Sequence, residues 1–327
     1  MNKEKIRRIL VITLSNIGDA VLTTAVIQAL RDYFPGQHLA VLVGPRAFAV
    51  FKNDTRIDKK IVYEKSISLR NKIGLITRLR HEHYDLVVDL RNTAFSIFLG
   101  ARYRSSIFGK APKSLVHMKD RHLWKLQALG LDTSYIKGPS LKFSEDEQGN
   151  IEKMWRKWQI QKGQCVVALA PGARNMTKLW EKQGYRELVK LFYKELDVKI
   201  LLVGDKQDAP IAEEIGRDIN PALINLCGKT SIGELACLLS KCALVVSNDS
   251  APTHIAWAVN TPVVSIFGPT DYRKYAPGGK YDRVIRKDLK CSPCEQSLCP
   301  KGTRDCMKLV SADDVFAACK EVLDART

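Results

Sequence analysis

The sequence predicts an α/β protein of two units, each built on a mainly parallel β-sheet covered by helices. Its apolar runs are short, rich in Val, Ile and Leu, and do not alternate with polar residues, as in strands buried on both faces. Amphipathic stretches of helical length separate these runs. The pattern occurs twice along 327 residues, a length that suits two domains.

Ten runs fit such strands. In the first half they are residues 9–14, 39–43, 60–63, 86–89 and 105–108, and in the second half 165–170, 199–203, 222–225, 244–247 and 263–267. Helices are predicted at 21–33, 120–129, 145–158 and, with Ser311 as its N-cap, 311–326. Gly138 and Pro139 lie in a polar stretch after the helix at 120–129 and place the boundary near residue 140. The predicted units are therefore 1–140 and 141–327.

Positive charge is concentrated in the first unit. The formal net charge of the chain is +17; residues 1–143 hold 25 basic and 11 acidic side chains, whereas residues 144–327 hold 27 and 24. This asymmetry suggests a polyanionic partner, such as nucleic acid, an acidic glycolipid or an anionic membrane surface. A basic, well-solvated surface is the alternative.

No targeting or membrane-spanning segment is predicted. The basic and then apolar start of the chain ends at Ser15 and Asn16 without a small-residue cleavage site, and no run of about 18 apolar residues occurs. We therefore expect a cytoplasmic protein whose contact with a membrane is peripheral. Five of the nine cysteines are scattered through predicted core segments, as in a reducing compartment.

Three loops after predicted strands carry polar residues, and ligands of open parallel sheets bind beyond the carboxyl ends of strands. The first loop contains Gly18 and Asp19. Asp19 suits either a plain helix N-cap or a carboxylate that faces a ligand. The single glycine does not make the G-x-G-x-x-G fingerprint, so a nicotinamide dehydrogenase loses its main support.

The second loop, residues 170–180, has the composition of a diphosphate cradle. Gly172 leaves the backbone approachable, and Arg174, Thr177 and Lys178 offer two cations and a hydroxyl group. It lacks the second glycine of a P-loop. A solvated basic loop is the alternative.

The third loop runs from Asn248 to His254, between a buried strand and an apolar helix. Ser250 can cap that helix, and Pro252 is tolerated in its first turn because it has no N–H to leave unpaired. Free amides at a helix start attract an anion, and Asp249 and His254 flank them. For a histidine alone, a hydrogen-bonded structural role is the commoner one.

Five motifs occur in one order: SNIGDAVLTT at 15–24, the loop at 172–180 with its lysine and tryptophan, VGD at 203–205, CGKTS at 227–231 and NDSAPTH at 248–254. Together they resemble the bacterial heptosyltransferases of lipopolysaccharide core assembly, glycosyltransferase family 9, over nearly the whole chain. The resemblance implies a GT-B architecture, in which two Rossmann-like domains face each other across a cleft. The last helix of that architecture often returns toward the first domain.

The resemblance also implies an inverting, metal-independent transfer of heptose that requires no cofactor. The donor would be ADP-L-glycero-D-manno-heptose, held by the C-terminal domain. The acceptor would be an acidic glycolipid, lipid A–Kdo or the inner core, held by the basic N-terminal domain. The enzyme would then be associated with the inner membrane from its cytoplasmic side.

Residue roles follow from the same resemblance. Asp19 matches the general base, Lys178 would stabilise the leaving ADP, and Asp249 matches the residue that holds the sugar hydroxyls. The donor-binding set is Gly172, Arg174, Thr177, Asp208, Lys229, Thr230, Asp249, Ser250, Ala251 and His254. In this set, Asp208 is expected on the ribose, Lys229 and Thr230 beside adenine, and Ser250, Ala251 and His254 on the phosphates. Relatives often have hydroxyl residues where Ala173 and Arg174 stand, which puts the detailed phosphate contacts in doubt.

On the acceptor side, Arg91, Arg102 and Arg104 are expected to contact acidic groups, although each could be a solvated arginine. Separately, four closely spaced cysteines could hold a structural zinc ion or an iron–sulfur cluster; they are Cys291, Cys294, Cys299 and Cys306. Reduced thiols or a disulfide formed on handling are the alternatives for them.

Two other functions compete with this one. A GT-B transferase that uses another nucleotide-sugar would share the fold. A nucleic-acid-binding protein would explain the charge, but the chain has no RNP-type aromatic motif, helix-turn-helix signature or basic helix stripe. We therefore expect no nucleic-acid partner.

Overall fold

The computed structural model describes residues 2–64, 66–93, 95–219 and 223–326, which form two compact units, Met1–Lys142 and Phe143–Thr327. The division falls close to the predicted boundary near residue 140. Each unit contains one sheet, and the paired strands of both sheets run parallel. The prediction of an α/β protein with parallel sheets is confirmed.

The described part of the first unit contains ten α-helices and β-strands. In chain order they are β1 (Arg8–Ile12), α1 (Ile17–Tyr33), β2 (His38–Val43), α2 (Phe48–Phe51), β3 (Lys59–Val62), α3 (Leu69–His81), β4 (Leu86–Asp89), α4 (Phe95–Phe98), β5 (Tyr103–Arg104) and α5 (Met118–Gln127). The strand order is β3-β2-β1-β4-β5. Leu75 and Leu79 of α3 pack with Leu10, Leu42 and Val87 of the sheet, so α3 covers one of its faces.

The second unit is larger. Its elements are α6 (Glu145–Lys157), β6 (Cys165–Ala170), α7 (Lys182–Glu195), β7 (Val198–Leu202), α8 (Ala209–Gly216), β8 (Ile224–Asn225), α9 (Ile232–Ser240), β9 (Leu244–Asn248), α10 (Ala251–Ala258), β10 (Val263–Ile266), α11 (Tyr272–Tyr275), β11 (Arg283–Ile285), α12 (Asp305–Lys308) and α13 (Ala312–Asp324). The strand order is β11-β10-β9-β6-β7-β8. The last helix, α13, packs against α7 with Val315, Cys319 and Val322 in the core of this unit. The return of that helix toward the first unit stays a prediction.

Both sheets have a switch point, where the chain leaves the first strand in one direction and later returns on its other side. In the first sheet β1 lies between β2 and β4, and in the second sheet β6 lies between β7 and β9. Loops diverge at such a point and leave a crevice at the carboxyl edge of the sheet. The loops after β1 and β4 therefore lie at the carboxyl edge of the first sheet. The loops after β6 and β9 lie at the carboxyl edge of the second sheet.

Two strand predictions fail at sheet edges. The predicted strand at 105–108 is wrong: β5 ends at Arg104, and only the amide of Ser105 continues the ladder by donating to Val87 O at 2.9 Å. Phe108 is 87% exposed, so the apolar pair that suggested a strand does not enter the sheet. The edge strand β11 is not predicted, because its three residues are all half-buried and begin with an arginine. Ala222, in the predicted strand at 222–225, lies outside the described residues.

The first helix also differs from its prediction. It begins at Ile17, with Asn16 at the N-cap position, whereas the predicted start is residue 21. Gly18, which the prediction assigns to the loop before the helix, lies inside the first helical turn. No helix in the described ranges is both long and apolar enough to span a bilayer.

His122 is a buried titratable group in the first unit. It lies on α5 with 4% of its surface exposed, and its Nε2 has no hydrogen-bond partner among the described residues. Burial is the main cause that lowers the pKa of His122 to about 4, and the nearby charges of Lys125, His117 and Arg121 add to it. Between about pH 4 and pH 6.5, His122 therefore binds a proton in the unfolded chain but not in the folded chain.

We predict that replacing His122 with Leu weakens the acid destabilisation of the first unit. The contribution of a neutral His122 is complete above pH 6.5 and is lost as the pH falls toward 4. At pH 5 the difference in unfolding free energy should be about 2 kcal/mol. Native-state hydrogen exchange of the α5 amides at pH 7 and pH 5 measures it, with exposed His81→Leu as the control. An unchanged pH dependence in His122→Leu would contradict the prediction.

Candidate active site

The side chain of Asn248, the last residue of β9, holds both ends of the loop after β6. It is fully buried; Nδ2 donates to Pro171 O at 2.7 Å, and Oδ1 accepts from the amide of Trp180 at 3.1 Å. One side chain therefore sets the path of residues 171–180 across the switch point of the second sheet. The predicted donor set does not include Asn248, and the signal that marks it is its place at the end of a buried strand.

Lys178 and Asp249 form a close ion pair at this switch point. Lys178 Nζ donates to Asp249 Oδ2 at 2.6 Å, and Asp249 is only 6% exposed. Lys178 ends a short 3₁₀ turn that begins with an Asn175 cap. A bond between charged partners of this length is strong and directional. An ammonium group carries three N–H donors, so two others can reach an anion while Asp249 keeps the first.

The start of α10 has no side-chain cap. Ser250 occupies the N-cap position, but its hydroxyl lies 3.2 Å from Ser247 Oγ and forms no capping bond, so the predicted capping by Ser250 is wrong. Thr253 uses its hydroxyl to donate to Asn248 O at 2.7 Å. Ala251 is half-buried and His254 is buried within this first turn. Helix-start amides that no side chain caps suit an anion, as predicted for this segment.

Gly172 and Asp208 are in close contact beside the β6 loop. A Cβ added at Gly172 would lie 2.1 Å from the Asp208 carboxyl group. The carboxylate also accepts from the amide of Asp205 at 2.9 Å and closes a capping box with it. Burial raises the pKa of the Asp208 carboxyl above its usual value, while that amide bond opposes the shift. A ribose contact of Asp208 therefore stays a prediction, and the structure gives the residue a role in packing.

The remaining four predicted donor residues are Arg174, Thr177, Lys229 and Thr230. Arg174 is exposed on the β6 loop. Thr177 is buried, and its hydroxyl donates to Asn175 Oδ1 at 2.9 Å and lies 3.3 Å from Gln296 O. Lys229 donates to Asn225 O at 2.8 Å, with half-buried Thr230 next to it. Because β8 is separated from β6 by β7, this pair stands at the side of the site rather than at the switch point.

Asp19 lies in the first turn of α1, after β1. It is half-buried and accepts from Asn16 Nδ2 at 3.0 Å. The alternative that Asp19 is a plain N-cap is wrong, because Asn16 holds that position. The carboxylate therefore stands at the carboxyl edge of the first sheet, held by a neighbouring amide group.

Asp89 and Lys125 shape the loop after β4. The buried Asp89 carboxylate accepts from the amides of Arg91 at 2.9 Å and Thr93 at 2.8 Å. Lys125, also buried, donates to Asp89 O at 2.6 Å and to Asn92 Oδ1. Burial lowers the pKa of Lys125, and the charge of Asp89 partly offsets it. The sequence gives no signal for this lysine, which looks like an ordinary polar residue of α5.

The structure does not bring all three predicted acceptor arginines together. Arg91 follows the carboxyl end of β4, and its guanidinium carbon lies 6.0 Å from the centre of the Tyr63 ring. Arg102 precedes β5, so it lies at the opposite, amino edge of the sheet. Arg104 is exposed on β5, opposite Val87. Of the three, Arg91 shares the edge on which Asp19 lies.

The cysteine segment supports the donor loop. Cys291, Cys294, Cys299 and Cys306 are all free, half-buried thiols. Within the described ranges, no group of three or more His, Cys, Asp or Glu side chains could hold a metal ion. As placed, these thiols form no such group, so the possible zinc ion or iron–sulfur cluster gains no support. In the same segment, Gln296 O accepts from Thr177, and Arg304 donates to Leu179 O.

Residues 73–304 match the family described as glycosyltransferase family 9 (heptosyltransferase). The chain belongs to this family. It is 25% identical over 319 residues to lipooligosaccharide heptosyltransferase 2 of Campylobacter jejuni, covering 94% of this chain and 96% of that protein. It is 28% identical over 346 residues to lipopolysaccharide heptosyltransferase 3 of Escherichia coli, with 95% and 97% covered.

A solved structure agrees with the fold. It is that of E. coli ADP-heptose lps heptosyltransferase II, with a TM-score of 0.76, 21% identity and coverage of 98% of this chain and 99% of that chain. The predicted family, the glycosyltransferase class and the α/β fold of GT-B type are confirmed. The roles of single residues in this family 9 enzyme stay predictions.

We predict that Gly172→Ala destabilises the second unit because its Cβ would overlap the Asp208 carboxyl group. The cost should be about 1–3 kcal/mol, as for other overpacked sites. In an Asp208→Ala background the same change should cost less than about 1 kcal/mol, because the clashing carboxyl group is gone. Urea unfolding of the four proteins completes the double-mutant cycle.

Gly149→Ala is the matched control for this cycle. Gly149 lies in α6, and an added Cβ there meets nothing within 4 Å. This change should be neutral or slightly stabilising. An equal cost of Gly172→Ala with and without the Asp208 side chain would show that the contact is not the cause.

Proposed function

We propose that this family 9 enzyme transfers heptose from ADP-L-glycero-D-manno-heptose to an acidic lipopolysaccharide acceptor, lipid A–Kdo or the inner core. The observation that carries the proposal is the meeting of Lys178, Asp249 and the uncapped start of α10 at one switch point. The names of the relatives, lipooligosaccharide and lipopolysaccharide heptosyltransferases, support the sugar and the acceptor. The name of the solved E. coli protein supports ADP as the nucleotide.

On the donor side, the diphosphate would bind between Lys178 and the first amides of α10. When the bond from the anomeric carbon to the phosphate oxygen breaks, its electron pair leaves with ADP. Positive groups that already point at this oxygen stabilise the developing charge without reorganisation. Lys178 and the helix amides supply that charge, so the proposed transfer needs no metal ion. Asp249, oriented by Lys178, would accept hydrogen bonds from sugar hydroxyls.

On the acceptor side, Asp19 would act as the general base. An acceptor hydroxyl oxygen attacks the anomeric carbon from the face opposite ADP, which inverts the configuration, and its proton passes to an Asp19 oxygen. The bond from Asn16 holds that carboxylate in one orientation. Arg91, presented by the loop that Asp89 and Lys125 shape, would pair with a carboxylate or phosphate of the acceptor.

A different activated sugar is the second candidate. It would use the same diphosphate site, because Lys178 and the first amides of α10 do not distinguish one base or sugar from another. Titration of the protein with ADP, GDP and UDP separates the candidates. Selective ADP binding, followed by transfer from ADP-heptose to core-truncated lipopolysaccharide, is the result we expect. Tighter binding of another nucleotide would contradict the proposed donor but not the fold assignment.

We also propose that the enzyme works as a peripheral protein on the cytoplasmic side of the inner membrane. Its proposed acceptor is a lipid, and residues 1–143 carry 25 basic against 11 acidic side chains. A positive surface is attracted to an anionic leaflet. Nucleic acid is not a proposed partner.

We predict that Asp19→Asn lowers the transfer rate by a factor of about 10²–10⁴, the usual contribution of a general base. The amide keeps the shape of the carboxylate but cannot take the proton, so ADP affinity should change less than twofold. Turnover with saturating donor and calorimetric titration with ADP measure the two effects. Asp32→Asn, an exposed position on the same helix, is the control. Transfer within a few-fold of the unmodified enzyme would remove Asp19 as the base.

We predict that Lys178→Met weakens ADP binding by about tenfold or more and slows turnover with ADP-heptose. The change removes the charge that faces the diphosphate and leaves buried Asp249 without its partner. Asp249→Asn in the same background should restore stability but not turnover. Lys194→Met, an exposed lysine on α7, is the control. ADP affinity and turnover that both match the control would exclude Lys178 from the donor site.

A further inference from the structure

The outer surface of α3 and α4 combines exposed apolar side chains with a lack of acidic ones. Leu69 and Ile73 of α3 are 74% and 56% exposed, and Ile97 and Phe98 of α4 are 42% and 55% exposed. Large apolar side chains that stand together in solvent commonly mark an interaction surface. We call these four residues, with the basic residues of α3, the α3–α4 surface.

Packing explains why these side chains point outward. Leu75 and Leu79 hold α3 on the sheet, and Phe95 and Leu99 hold the α4 segment on the same cluster. Helix periodicity then places Leu69 and Ile73, which are four residues apart, on the side of α3 that faces away from the sheet. These apolar residues are therefore not needed by the core of the first unit.

The two helices form one continuous surface. They contact each other, and a Cβ added at Gly100, just after α4, would lie 4.0 Å from Arg80 Nε. The Arg80 side chain therefore extends from α3 to the end of α4. Its charge therefore lies beside the end of α4.

The charge of this surface has one sign. Residues 66–81 contain Arg70, Lys72, Arg78 and Arg80 and no aspartate or glutamate. Residues 90–101, which include α4, also contain no acidic residue. Arg70, Arg78 and Arg80 are exposed. A partner for this surface must therefore be anionic and must also accept apolar side chains.

We propose that the α3–α4 surface docks the enzyme on an anionic lipid bilayer. Leu69, Ile73 and Phe98 would enter the boundary between headgroups and acyl chains, and the arginines would stay at the level of the phosphates. Each basic side chain near such a membrane contributes about a fivefold gain in binding. The inference rests on the peripheral membrane binding proposed above and deepens it by naming the surface that makes the contact. This surface lies outside the residues proposed to bind the donor and to carry out the transfer.

Co-sedimentation of the full chain with lipid vesicles tests the proposal. We expect binding to vesicles that contain phosphatidylglycerol, little binding to vesicles of phosphatidylcholine alone, and weaker binding as salt is raised. Leu69→Ser should weaken binding about fivefold to tenfold. The leucine is largely exposed in water, and the serine variant would no longer bury a large apolar side chain in the bilayer. Arg70→Gln should weaken it about fivefold and reduce its dependence on salt.

Matched controls come from the second unit. Leu309→Ser changes a leucine that is 55% exposed, and Arg156→Gln changes an exposed arginine of α6. Both controls should bind vesicles like the unmodified enzyme. The proposal is overturned if Leu69→Ser and Leu309→Ser behave alike, if neutral vesicles bind as well as anionic ones, or if neither binds.

Calorimetric titration with ADP separates this inference from the proposed function. All four variants should bind ADP with unchanged affinity, which also shows that they are folded. Vesicle binding that depends on Leu69 in a protein that does not bind ADP would support the docking surface and contradict the donor site. ADP binding without any vesicle binding would support the donor site and overturn the docking surface.

Discussion

The side-chain amide of Asn248 connects the two loops on which the proposed donor site depends. It stands at the end of β9, beside β6, and it satisfies a backbone carbonyl at one end of the β6 loop and a backbone amide at the other. Buried polar groups of a loop need partners, and here one side chain supplies two of them. Without it, the loop that carries Lys178 would lose its fixed path toward Asp249.

A comparable arrangement occurs in the first unit. There the carboxylate of Asp89 accepts hydrogen bonds from two amides of the β4 loop. The ammonium group of Lys125 donates to Asp89 O and Asn92 Oδ1 in the same loop. Both arrangements place a buried polar side chain under a loop at a switch point. Residues proposed to meet substrate, Lys178 and Arg91, are in turn positioned by residues that do not meet it.

Local patterns of the chain predict the central strands and the polar loops well. The apolar runs of β1, β4, β6 and β9 have no alternation because both faces of a central parallel strand are buried. The edge strands β5 and β11 are missed or misplaced, since they are short and only partly buried. The helix start at Ile17 is missed because Gly18 resembles a turn residue, although its neighbours make it helical.

In the candidate site, too, local sequence predicts some residues and misses others. Asp19, Lys178, Asp249 and the α10 segment can be chosen from sequence, because polar residues directly after buried strands stand out. The roles of Asn248 and Lys125 cannot, because their partners are about 70 and 36 residues away in the chain. Nor does the sequence show that Arg102 lies at the opposite edge of the sheet from Arg91, which depends on the register of β5 with β4.

The sequence by itself determined the α/β class, the two units, the family and the loops that carry charged residues, since these depend on local periodicity and short motifs. The tertiary structure alone decided which of these residues meet: the Lys178–Asp249 pair, the Gly172–Asp208 contact and the exposed α3–α4 surface. The physical reason is that such contacts depend on strand order and register, which bring distant residues together and leave no trace in local sequence.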